Sequence, residues 1–249
     1  MSELENPNKD IVSVDSTWKD VYKVGGVCMI LAGLIYIIAT ALNFVLGAQA
    51  GDNAAFLNSL AGNPTVAYVI FGLLFISDIL MLPVLLALYL ALKHINKNAM
   101  LIAAMLLFMF AILDLTFQFN GLILTTLAQH SASATSDILK AAYTAAAYYG
   151  LAALPLSWIS LWIVFGLGLL IASVVMLKGV FGKVTAYLGV ITGIGSLIAG
   201  FSMIIPILGI VVVLMLVIGG IWYIIVGFKL YNLSHTNKQP VKTVKESTA

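Results

Sequence analysis

The sequence predicts an all-α fold: a polytopic membrane helical bundle of six transmembrane helices, with N-terminus and C-terminus cytoplasmic. Three observations carry this prediction. The chain of 249 residues is 62% hydrophobic and only 9% charged, where soluble domains run at roughly 25% charged. Its apolar residues fall in runs of about 20 or more, the length that carries a helix across hydrocarbon. Its lysines gather in alternate loops. Lipid offers no partner to unpaired backbone groups, so each run must cross as a helix.

Residues 1–23 read as a cytoplasmic tail ending in an interfacial segment, where Trp18, Lys19, Tyr22 and Lys23 suit the headgroup layer. The first apolar run is too long for a signal-peptide core and stays as a span. Spans one to three are expected at 24–46, 66–92 and 99–128. The fourth run extends from Ile138 to Leu177; its span is placed at 151–177, with the outer part projecting or tilting above the bilayer. From Val184 to Tyr231 the chain is almost unbrokenly apolar, and as one helix it would extend about 72 Å, far beyond a bilayer. Gly200, Pro206 and Gly209 mark the turn, giving spans at 184–204 and 207–231. One six-helix membrane domain therefore covers 24–231. A polar tail without periodicity, 232–249, is expected to be disordered and cytoplasmic.

Orientation follows from the basic residues. With the N-terminus inside, Lys93, Lys97, Lys178, Lys183 and Lys229 fall on the cytoplasmic side with the lysines of both tails, and only Lys140 lies outside. The short turns 93–98 and 178–183 face the cytoplasm; 47–65 and 129–140 face outside, in a multi-pass protein of the cell membrane. The outer segment 47–65 reads as a short helix, capped by Asp52 and ended by Gly62 and Pro64.

Inventory excludes much chemistry. A formal charge of +2 without a basic patch implies no nucleic-acid partner. Cys28, the one cysteine, can form neither an intrachain disulfide nor a thiolate cage. His94, His130 and His235 lie in loops or tails, so no intramembrane zinc site, haem ligand pair or serine–histidine dyad is available. The two intramembrane aspartates lie in ISD and ILD, without the glycine-rich setting of an intramembrane aspartyl protease. No metal and no cofactor is implied, and the reading leans away from an enzyme.

Those aspartates, Asp78 in the second span and Asp114 in the third, are the candidate site. Counted from the turn that joins their helices, both stand about 21–23 Å above the cytoplasmic edge. No basic residue shares that depth, and a lone aspartate at the helix centre costs about 2.5–3.5 kcal/mol, so at least one of the pair is expected to hold a proton. Spacing leaves open whether they face each other. Gln118 and Thr125 follow Asp114 on nearly the same face, and Pro83 frees the carbonyl of Ile79 beside Asp78 and suggests a kink. Asn43, Gln118 and Trp158 share a level about 28 Å up, a pattern that suits a small polar pocket opening outward. The candidate proton, cation or ligand site is thus Asp78, Asp114 and Gln118, and the candidate outer pocket adds Asn43 and Trp158; structural hydrogen bonding between helices is the competing account. Gly189 and Gly193 have GxxxG spacing and Gly219–Gly220 lie in the last span, admitting close contact within the bundle or with a second copy.

The best functional reading is a non-enzymatic, transporter-like or sensor-like unit of unknown molecular function with a small polar intramembrane pocket. The alternative is a structural or partner-binding subunit without ligand.

Four stretches carry a resemblance: 54–74 (AAFLNSLAGNPTVAYVIFGLL), 87–98 (ALYLALKHINKN), 163–194 (IVFGLGLLIASVVMLKGVFGKVTAYLGVITGI) and 221–228 (IWYIIVGF). The chain from Val24 to Tyr231 resembles an uncharacterised prokaryotic membrane family, domain of unknown function 4386. The resemblance implies six helices and membrane location, and no activity. The family pattern places an arginine three residues before its third-helix acid, where this chain has Ala111 before Asp114, and the last-helix acid has no counterpart near Leu216. An internal ion pair is therefore not implied.

Overall fold

The computed structural model describes residues 16–46 and 52–235. Among them the α-helices are α1 (Lys19–Leu46), α2 (Asn53–Gly62), α3 (Pro64–Leu92), α4 (Lys97–Ser133), α5 (Asp137–Ala152), α6 (Leu154–Met176), α7 (Lys183–Ala199) and α8 (Gly209–His235), with no strand among the described residues. Six apolar stretches are long enough to cross a membrane: α1, α3, α4, α5 with α6, α7 with the turn after it, and α8 with the turn before it. The protein is a multi-pass membrane bundle.

Local chemistry sets the boundaries. Asp52 caps α2, its carboxylate accepting from the backbone N–H groups of Ala54 and Ala55 at 2.9 Å each. Asn96 and Ser136 cap α4 and α5 in the same way. Pro64 opens α3, where a missing N–H costs nothing. Gly182, with φ of 75°, turns the chain into α7 in a conformation that side chains rarely adopt.

Several boundaries differ from expectation. The long fourth run does not continue as one helix: α5 ends at Ala152 and α6 restarts at Leu154 with Pro155 in its first turn, since the proline ring can donate no backbone bond to the preceding turn. Pro83, by contrast, lies inside a helix that continues through it. α8 persists to His235, past the expected end at Tyr231. The turn between the last two spans, by contrast, lies where expected, between Gly200 and Gly209, and is built of two 3-10 segments, Gly200–Met203 and Pro206–Leu208. The tails 1–15 and 236–249, and residues 47–51 of the outer segment, lie outside the described residues.

The spans form a closed ring in chain order. α1 packs on α3, α3 on α4, α4 on α6, α6 on α7 and α7 on α8, and α8 closes against α1. One end of the bundle carries the lysine-bearing turns after α3 and α6; the other carries α2, which packs mainly on α4, and α5. Lipid as solvent inverts the usual size order. On α1 the exposed stripe is Val24, Val27, Leu31, Leu34 and Ile38, while Gly25, Gly26, Ala32 and Gly33 face inward.

Glycines hold the seams. Across the antiparallel α1–α8 contact, Gly26 lies against Gly227 and Gly33 against Gly220: a Cβ on Gly26 would stand 2.7 Å from the Gly227 carbonyl oxygen, and one on Gly33 2.7 Å from that of Gly220. The GxxxG pair of α7 is used within the chain. Gly193 meets Gly166 of α6, and Gly189 leaves room for Ser173 and for Trp222, whose indole donates to the Thr185 carbonyl at 2.9 Å.

Candidate intramembrane site

The ring encloses a cavity of about 160 Å³ lined from α1, α3, α4, α6 and α8. It lies between two apolar clusters. Phe110, Leu161, Trp162 and Phe165 belong to the larger one, which extends toward the lysine-bearing end; Ala39 and Ile70, with Phe71 and Leu74 against them, belong to the one under α2. Four residues singled out from the sequence line it together: Asn43, Asp114, Gln118 and Trp158. Thr125, also on that face, is not a lining residue; its hydroxyl donates to the Gly121 carbonyl at 2.9 Å.

Asp114 sits at the cavity wall with its carboxylate held by two donors. The Gln118 amide, one turn on, donates to Oδ1 at 2.7 Å, and the Tyr36 hydroxyl of α1 donates to Oδ2 at 3.3 Å. The amide geometry leaves Gln118 Oε1, buried, without a donor among the described residues. Beside it on the same wall, Tyr36 meets Tyr223 of α8 edge-on, their rings 5.6 Å apart.

Asp78 is fully buried and is not a lining residue; it stands behind Asp114. Neither of its carboxyl oxygens has a standing donor among the described residues. What meets it is the Asp114 carboxyl. Two ionised carboxylates are both acceptors, so this contact becomes a hydrogen bond only with a proton between them. A proton so placed leaves one negative charge on the pair.

The remaining wall is aromatic. Phe117, Trp158, Trp162, Phe165 and Phe110 follow one another along α4 and α6, with successive ring centroids 5.3, 5.5, 6.3 and 4.6 Å apart. Trp158 donates to the Ser202 hydroxyl at 3.0 Å, tying α6 to the turn after α7. The Trp162 indole N–H is buried without an acceptor among the described residues. Tyr36, Tyr223 and Trp162 were not singled out from the sequence. Their signal was a polar tip on an aromatic ring in mid-span, which seeks a partner when buried.

The family profile described as "Domain of unknown function (DUF4386)" matches residues 24–230 of the chain. No curated protein and no solved structure matches it significantly.

Proposed function

Because the chain belongs to the DUF4386 family, whose description assigns no activity, we propose from the geometry alone that it is a non-enzymatic, transporter-like or sensor-like unit. In this reading it takes up a small ligand in the cavity, and Asp78 and Asp114 form its proton- or cation-responsive element. One observation carries the proposal: a cavity inside the bundle reaches the Asp114 carboxylate, which meets a second buried carboxyl lacking any standing donor among the described residues. The rival, a purely structural role, accounts for Asp114, which ties α4 to α1 through Tyr36. It leaves Asp78 without a purpose, since an unsatisfied buried carboxyl costs stability. We place it in the cell membrane, and the lysine distribution supports an orientation with the lysine-bearing turns and both termini cytoplasmic.

The test is thermal denaturation of wild type, Asp78→Asn and Asp114→Asn in detergent from pH 5 to 9, with and without sodium. Wild type is expected to respond to pH or sodium, and each variant to lose part of that response. Three superimposable profiles without a sodium effect would refute the reading.

A further inference from the structure

We propose that the cavity's ligand is a small lipophilic ammonium cation, held with its charged head at Asp114 and Gln118 and its apolar body against the α4–α6 aromatic wall. This rests on the reading above and names its ligand class. Charge argues first. Among the described lining residues Asp114 is the one carboxylate, and no basic residue accompanies it, so its negative charge has no counter-charge within the cavity. An anion would meet that charge with nothing to offset it. A neutral apolar molecule would leave the carboxylate and the orphaned Gln118 oxygen unanswered.

Hydrogen-bond chemistry agrees. With Gln118 Nε2 and the Tyr36 hydroxyl already donating to Asp114, the unused polar capacity at this spot is acceptor capacity: Gln118 Oε1 and the remaining lone pairs of the carboxylate. A primary ammonium brings three N–H donors and no acceptor. Beside it, Trp158, Trp162 and the neighbouring phenylalanines present ring faces and edges at close spacing, and aromatic faces attract cations most strongly where water is excluded.

Size sets the body. A dry cavity of about 150 Å³ accepts a benzene-sized molecule, and this one measures about 160 Å³. Benzylammonium is therefore a suitable probe, with benzyl alcohol as its neutral counterpart and benzoate as its anion.

The experiment is isothermal titration of the full chain in detergent at pH 7 with each of the three, after subtraction of empty micelles. Benzylammonium is expected to bind about tenfold or more tighter than benzyl alcohol, and benzoate not at all. Asp114→Asn should bring the ammonium down to the level of the alcohol. The comparison within wild type needs no variant, so it stands if the substitution does not fold. Equal binding of ammonium and alcohol would overturn the cation assignment and leave a ligand cavity standing. Absence of binding by all three would overturn it as well, and the pH and sodium melts then decide separately whether the carboxyl pair has any role.

Discussion

Replacing Gly26 by alanine adds one methyl group at the tightest point of the α1–α8 seam. That methyl would stand 2.6 Å from the Tyr231 nitrogen, 2.7 Å from the Gly227 oxygen and 2.9 Å from the Tyr231 Cα, all backbone atoms of α8. No side-chain rotation can relieve a backbone contact, so the helices must part. Reaching the 3.4 Å at which ordinary contact begins means a retreat of roughly 0.8 Å from the nearest atom, and gaps of about 0.5–1 Å forfeit a quarter to a half of the dispersion energy of the atoms facing them. Gly33 and Gly220 lie in the same seam and feel the same retreat. The expected cost is about 1–3 kcal/mol, the range for overpacking a close-fitted interior. Gly72→Ala is the control. It adds the same methyl within α3 where nothing lies within 4 Å, and helix propensity alone should favour it by about 0.5–1 kcal/mol. Thermal melts followed by tryptophan fluorescence should place the two variants on opposite sides of wild type. A Gly26→Ala protein melting with wild type, or above Gly72→Ala, would refute the argument that backbone contact governs this seam.

Other consequences are open to the same kind of measurement. Gly182→Ala forces a side chain into a positive-φ conformation and should cost about 1–3 kcal/mol; an unchanged melting midpoint would show that the turn can relax. Ser202→Ala removes the acceptor of the Trp158 indole and should cost about 1 kcal/mol, visible as a lower midpoint and a change in tryptophan emission. Single cysteines at Asn53 and Lys97 in a Cys28→Ala background lie at opposite ends of α2–α3. An impermeant thiol reagent on intact cells should label the first and spare the second, and the reverse pattern would invert the proposed orientation.

How far the sequence reveals this molecule depends on what lipid makes legible. Span number and length follow directly, because hydrocarbon thickness is a ruler and an unpaired backbone is prohibitive within it. The Asp78–Asp114 approach was readable as a shared depth, since a short turn joins their helices. Rotational facing was not. In α6 and α8 almost every position is apolar on all sides, so periodicity carries no difference between a residue facing lipid and one facing the cavity. Trp162 and Phe165 could be distinguished only by packing. The break at Ala153 was hidden for a similar reason: Pro155 lies in an apolar run without polar punctuation. The α1–α8 seam did leave a trace, in glycines seven residues apart at Gly26 and Gly33 and again at Gly220 and Gly227. That seven-residue spacing is longer than the GxxxG spacing of α7, which marks a different seam.

Order of assembly gives the chain-order ring a further meaning. Every contact around it except one joins spans adjacent in the chain, so each helix finds its neighbour soon after insertion and with little loop-closure cost. The exception is α1 with α8, the first span with the last. Until α8 arrives the ring is a crescent, Tyr36 lacks its Tyr223 neighbour, and the cavity lacks one of its five walls. A nascent or truncated chain lacking α8 would thus be helical, membrane-inserted and largely packed, yet hold no closed chamber at all. The chamber is the last part of the molecule to exist, and the glycine seam between first and last helices is the clasp that makes it.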